Sequence, residues 1–241
     1  MTTTPQAVRP LTARSAILSL LLGAHPPEAP GSSIVGWGRA LGVNEPAVRV
    51  ALTRMVAAGD LDRADSVYRL SPRLLRRQER QDAAIEQRTL PWGGEWHGAA
   101  VTAVGAGAAA RADLRQRMGA ARFGELREGF WMRPANLDWT PDPAVAGSLE
   151  VMTVRPERPA AELATALFDL DAWASTAQEL TVSLAAAEHL AERIAIAAAV
   201  VRHLVADPLL PAELLPPDWP GPGLRSTYST FREDLVERIS G

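Results

Sequence analysis

The chain has 241 residues, 47% of them hydrophobic, a net charge of -3 and no cysteine. That length supports two or three small domains, each able to bury a core, and the missing cysteines exclude disulfides, thiolate catalysis and cysteine zinc sites. All 25 basic residues are arginine, so a lysine Schiff base, a P-loop lysine and a pyridoxal phosphate attachment point are excluded as well.

The charge is uneven. Residues 1–91 hold 12 Arg against 8 Asp and Glu, a balance of +4, and the other 150 hold 13 against 20, a balance of -7. The first segment thus has the sign that phosphate neutralisation requires.

In chain order, residues 1–10 read as a tail. Arg9 and Arg14 before AILSLLLGA resemble a signal peptide, but the apolar run is short and broken by a serine, so it reads as a first helix, Thr12 to Leu22. Ser32 or Ser33 can cap a second helix, Ile34 to Leu41, which Gly42 ends. Asn44 to Gly59 is the best-marked stretch: Asn44 as cap, Glu45 and Pro46 in the first turn, Gly59 as left-handed stop.

Val48, Ala51, Leu52, Met55 and Val56 fall on one side of that third helix, which leaves Arg49, Val50, Thr53 and Arg54 on the other. Arginine can fork onto guanine or phosphate, Thr53 can bond to either, and Val50 can touch a thymine methyl. A hairpin follows, Leu61-Asp62-Arg63 and Val67 to Leu70, with its turn at Ala64-Asp65-Ser66. Helix, turn, helix and hairpin make a winged helix-turn-helix. Its candidate DNA-binding set is Asn44, Arg49, Val50, Thr53 and Arg54, with Arg63 and Tyr68 from the hairpin. Ser71-Pro72 then opens a charged helix with a thin apolar seam of Leu74, Leu75 and Ile85, which reads as a tether.

From Pro91 the order is a strand from Trp96 to Val104, a helix from Ala108 to Ala121, strands at Glu125 to Arg127 and Phe130 to Arg133, a short helix, and a strand from Leu149 to Val154. This is the order of a ferredoxin-like plait. Beyond Pro159 the pattern is helical: AAELATALFDLDAWAS, then a helix or helix pair from Gln178 to Ala206. Prolines at 208, 211, 216, 217, 220 and 222 force an extended wrap, which needs Leu209, Leu210, Leu214, Leu215 and Trp219 pinned to the helical domain, before a last helix around Ser226 to Ile239. The expected class is α+β, with a winged helix and tether over 1–91, a plait over 92–156 and a helical domain over 157–241.

The stretches ILSLLLG, AVRVALTRMVAAGDL with YRLSPR, PWGGEWHGAAV, RFGELREGFWMRPANL and DPLLPAELLPPDWPG, in that order, resemble PaaX-type transcriptional repressors of phenylacetic acid catabolism. The resemblance covers nearly the whole length. It implies a dimeric winged-helix repressor on a double-stranded operator, a central plait similar to that of CRISPR adaptation nucleases, a helical C-terminal domain, and a coenzyme A thioester, phenylacetyl-CoA, as effector; a cytoplasmic location is expected from the absence of cysteine. Two departures stand out: the wing carries Asp62 and Asp65 beside Arg63, and the arginines expected before the DPxLP passage reduce to Arg202-His203.

The likeness to nucleases raises phosphodiester cleavage as an alternative, but the strand from Trp96 to Val104 carries no carboxylate to hold a divalent ion. A winged helix used only for protein contact is the other alternative. Histidines 25, 97, 189 and 203 show no metal-ligand spacing, and no cofactor or catalytic constellation is expected. A coenzyme A thioester, between the central and C-terminal domains, has an adenine to stack and phosphates to pair, which makes Trp131, Arg133 and Arg202 the candidate effector residues.

Overall fold

A computed structural model describes residues 12–103 and 107–240. The tail at 1–10 and Val104, the last residue of the strand expected from Trp96, lie outside the described residues. By contacts the chain forms two compact units. Unit 1 combines residues 1–85, 177–205 and 222–241, and unit 2 combines 86–176 and 206–221.

Unit 1 opens with α1 (Ala13–Gly23), whose N-cap Thr12 accepts from the Ser15 amide. A three-residue strand, β1 (Glu28–Pro30), leads into α2 (Gly31–Ala40). Ser32 and Ser33 lie inside this helix and do not cap it. Its N-terminus is placed by the Gly31 amide, which donates to the Ser66 carbonyl at 2.8 Å.

α3 (Glu45–Ala57) starts as expected, with Asn44 Oδ1 accepting from the Ala47 amide at 2.9 Å, and stops at Gly59, φ +69°. The hairpin of β2 (Leu61–Ala64) and β3 (Val67–Leu70) turns at Asp65, φ 54°. β1 joins it, giving an antiparallel sheet in the order β1-β3-β2. The third strand was not expected, because three residues ending in proline carry too little alternation to register.

α4 (Pro72–Glu86) is not a tether. Leu74, Gln78 and Ala84 are buried, and Leu74 joins the core of Ile17, Leu21, Ile34, Val48, Leu52 and Met55. Gln78 Nε2 donates to the carbonyls of Leu22 at 3.1 Å and Ala24 at 2.9 Å, satisfying the end of α1. Ser71 supplies no side-chain cap, since its buried Oγ has no partner; the helix opens on Pro72 and backbone bonds from Leu74 and Leu75 to the Ser71 carbonyl.

Unit 2 holds β4 (Trp96–Val101), α5 (Ala108–Ala120), β5 (Gly124–Arg127), β6 (Phe130–Pro134), the short α6 (Pro143–Ala146) and β7 (Leu149–Val154). The strand order β5-β6-β4-β7, antiparallel throughout, is the plait expected from the sequence. Both faces of the sheet are covered. Ala99 and Trp131 pack with Met118, Phe123, Val145 and Leu149 on one, while Trp96 and Met132 pack with Leu163, Ala164, Leu170, Leu210 and Leu214 on the other.

α7 (Ala160–Leu167) and α8 (Leu170–Ala186) follow, and α9 (Leu190–Val205) begins after a break at residues 187–189. The break thus lies beyond Gln178, which sits inside α8. The proline-rich wrap is pinned as its leucines require: Leu209, Leu210 and Leu214 are buried, and Leu210 and Leu214 pack with Leu163, Ala164 and Leu170 of the helical segment as well as with Trp96 and Met132 of the sheet. Trp219 stacks on Trp173 at 4.5 Å. α10 (Gly221–Ser240) starts five residues before Ser226, because Pro222 is a first-turn proline rather than part of the wrap.

Candidate nucleic-acid interface

The outer face of α3 follows from its inner one. Val48, Leu52 and Met55 are buried, so the residues between them project outward: Arg49, Thr53 and Arg54 are exposed, and Val50 is 49% exposed. α2 comes close enough to hold α3 because Gly38 lacks a Cβ; one built there would lie 2.5 Å from Val48 Cγ2. The turn between the two helices is closed by the Val43 amide, which donates to the Gly38 carbonyl at 2.8 Å, and by Gly42 at φ +73°.

The four outward side chains are not equally available. Arg49 donates to Glu45 Oε1 from Nε at 2.8 Å and Nη2 at 2.6 Å, so Glu45 must give way before Arg49 can fork onto a base. Thr53 Oγ1 donates to the Arg49 carbonyl at 3.1 Å. Arg54 and Val50 have no such local engagement among the described residues.

On the hairpin, Arg63 Nε donates to the Asp65 carbonyl at 3.0 Å and its guanidinium lies 5.6 Å from the Tyr68 ring centre. Asp62 and Asp65 stay exposed beside it. Asn44 serves α3 as its cap, and its side-chain oxygen is committed to that bond. The structure therefore gathers Arg49, Val50, Thr53 and Arg54 on one helix face and pairs Arg63 with Tyr68 across the wing.

Sequence reasoning missed Asp60. It is 4% exposed, directly after the stop of α3, and takes Arg14 Nη2 at 2.8 Å together with Arg73. One carboxylate thus ties α1 and α4 to the end of α3. Its burial shows only in three dimensions; an acid after a glycine reads as a turn residue.

The three effector candidates are not assembled in one unit. Trp131 and Arg133 belong to β6 in unit 2 and Arg202 to α9 in unit 1. Trp131 is 6% exposed, its Nε1 has no partner, and it lines a cavity of about 370 Å3 with Leu114, Arg115 and Val145. Arg133 is 3% exposed and donates to the carbonyls of Ala121 at 2.8 Å and Pro134 at 3.1 Å. Burial, with Arg122 adding repulsion, pushes its pKa down to about 10, which leaves it charged at neutral pH.

Among the described residues no group of three or more His, Asp or Glu could hold a metal ion, and no helix is long and apolar enough to cross a membrane. His25 bonds Asp82 at 3.0 Å, and His97 packs against Trp139 with ring centres 5.8 Å apart.

The family model for PaaX-like proteins matches residues 12–74, and that for the PaaX-like C-terminal domain matches residues 165–240. An uncharacterized protein of solved structure, Rv0674 from Mycobacterium tuberculosis, is 51% identical over 95% of this chain and 98% of its own, with a TM-score of 0.85. No functionally curated protein matches the chain.

Proposed function

Since this chain belongs to the PaaX-like family, a family of transcriptional regulators, we propose that it is a homodimeric DNA-binding repressor of a catabolic operon, released by an acyl- or aryl-CoA effector. The observation that carries the DNA-binding part is the outer face of α3. An exposed apolar valine between arginines and a threonine gains nothing in folding, yet it has the three chemistries that read a major groove.

In this reading Arg54 and Val50 contact bases directly, and Arg49 does so after exchanging Glu45 for a phosphate or guanine. The wing contributes through Arg63 and Tyr68 while Asp62 and Asp65 limit how closely it approaches phosphate. Two recognition helices of a dimer enter successive major grooves, so half-sites lie about 10 base pairs apart or at a multiple of that.

The test is operator selection from a random duplex library, followed by binding titrations at several salt concentrations. Affinity should fall by about a thousandfold or more between 50 and 200 mM salt if some six or more phosphates are neutralised. Replacing Arg54 by alanine should cost about 1 to 3 kcal/mol of operator binding and relax preference at one position. A folded variant with Arg49, Val50, Thr53 and Arg54 all changed to alanine that binds as the parent does would remove this face from the interface. Phenylacetyl-CoA, added to the operator complex with free coenzyme A as control, tests the effector part; release by the thioester alone is the expected result.

A further inference from the structure

Unit 1 contains a cavity of about 240 Å3 that the DNA-reading face does not use. Its walls come from five helices of that unit: Leu20 of α1, Trp37 of α2, Arg77 of α4, Val201 of α9, and Phe231 and Arg232 of α10. Most of the lining is apolar; its polar groups include the guanidiniums of Arg77 and Arg232 and the His25 ring, which bonds Asp82 at 3.0 Å.

Partial desolvation, and then repulsion from Arg202, Arg80, Arg14 and Arg73, hold the Arg77 pKa below the ordinary arginine value. Asp60 satisfies Arg14 and Arg73. Arg77, Arg80, Arg202 and Arg232 have no carboxylate partner among the described residues. Of these only Arg77 and Arg232 line the hollow, so an anion entering it meets two guanidiniums with no carboxylate paired to either among the described residues.

We propose that this cavity binds a small amphipathic anion, a carboxylate or phosphate on an apolar body, with the charge between Arg77 and Arg232 and the body against Trp37, Val201 and Phe231. The volume lies below the roughly 300 to 1,000 Å3 of sites that enclose drug-sized ligands, so it admits one ring or a short alkyl chain. A nucleotide-bearing molecule does not fit whole.

The location gives the ligand a route to the reading face. Trp37 precedes Gly38, the residue at which α2 and α3 meet, so a group wedged beside Trp37 bears on the support of α3. The ligand changes DNA affinity only by as much as its own affinity differs between the two states of α2, and DNA changes ligand affinity by the same factor. That regulatory part rests on the DNA-binding reading above; the binding site itself does not.

The experiment titrates the full chain by calorimetry with octanoate, octyl phosphate and the neutral octanamide, in parallel with salt-dependent binding of a random-sequence duplex. Octanoate or octyl phosphate should bind, and Arg77→Gln and Arg232→Gln should each weaken that binding about ten- to hundredfold. Which anion binds more tightly separates carboxylate from phosphate as the natural head group. Octanamide should bind weakly and equally to the parent and both variants. Ala198→Trp, which fills the cavity from α9, should abolish binding of all three, and Ala198→Leu serves if the tryptophan variant does not fold.

Anion binding that is sensitive to Arg77 with no duplex binding at any salt would support the site and remove the regulator reading. Steep, salt-dependent duplex binding with no anion binding would overturn the site and leave the regulator reading intact. If Arg77→Gln weakens the duplex but leaves octanoate and octyl phosphate unaffected, the arginines are phosphate contacts and the cavity proposal fails.

Discussion

In the three-stranded sheet of the wing, Arg63 and Arg69 lie at the surface, held by the Asp65 carbonyl and Glu28, while in the four-stranded sheet Arg133 is 3% exposed and bonded to two backbone carbonyls. Sheet coverage explains the difference. The wing is a thin sheet with outward side chains, whereas packed layers cover both faces of the plait. The same residue type is therefore open to solvent in one unit and buried in the other. A polar side chain at the end of a strand signals a site only when the layer above it is absent.

Mutations should separate the units along that line. Trp96→Ala, in the core of unit 2 at 1% exposure, should cost about 3 to 5 kcal/mol of stability by denaturant titration. Duplex affinity per folded molecule should stay unchanged; a large loss there would mean that the units do not divide the work. Gly38→Ala should cost about 1 to 3 kcal/mol, because Val48 is 1% exposed and cannot turn away from a new methyl. It should also lower duplex affinity of the folded protein, since α3 must move.

The smallest expected effect is a pH dependence confined to unit 2. Burial, and then repulsion from Arg133, hold the His97 imidazole below its ordinary value of 6.5. As pH falls through 6.5 the unfolded chain takes up the proton first, so stability declines from there until the folded ring titrates too. Above that window the ring adds no slope. His97→Gln should flatten this part of the stability curve, and an unchanged curve would assign the acid sensitivity elsewhere.

Where structure is written locally, the sequence was sufficient. Asn44, Pro46 and Gly59 bracket α3 by chemistry that acts within one turn, and the positions of Val48, Leu52 and Met55 set its buried side without reference to any partner. The plait is legible for the same reason, because its strands are separated by turn residues such as Gly129 at φ +77°. What stayed hidden depends on distant contacts. The run Phe130 to Met132 is apolar at every position because both faces are buried, so alternation could not show that Trp131 and Arg133 lie under α5 rather than in an open site. Likewise a charged helix with a thin seam reads as a spacer, yet Gln78 and Ala84 of α4 are buried. Gly38 carries no local signal, since its role is the distance to a helix not yet formed.

The interleaving of unit 1 bears on how the protein is made. Its last two segments, 177–205 and 222–241, leave the ribosome after the whole of residues 86–176. At about 5 to 20 residues per second, the end of the chain emerges roughly 10 to 30 s after residue 85. Throughout that interval the winged helix exists without α9 and α10, and the apolar side chains those helices cover face water. A nascent chain therefore carries the outer face of α3 on a body whose seat for α9 and α10 is still uncovered, so this unit closes only after the whole of the other has been made.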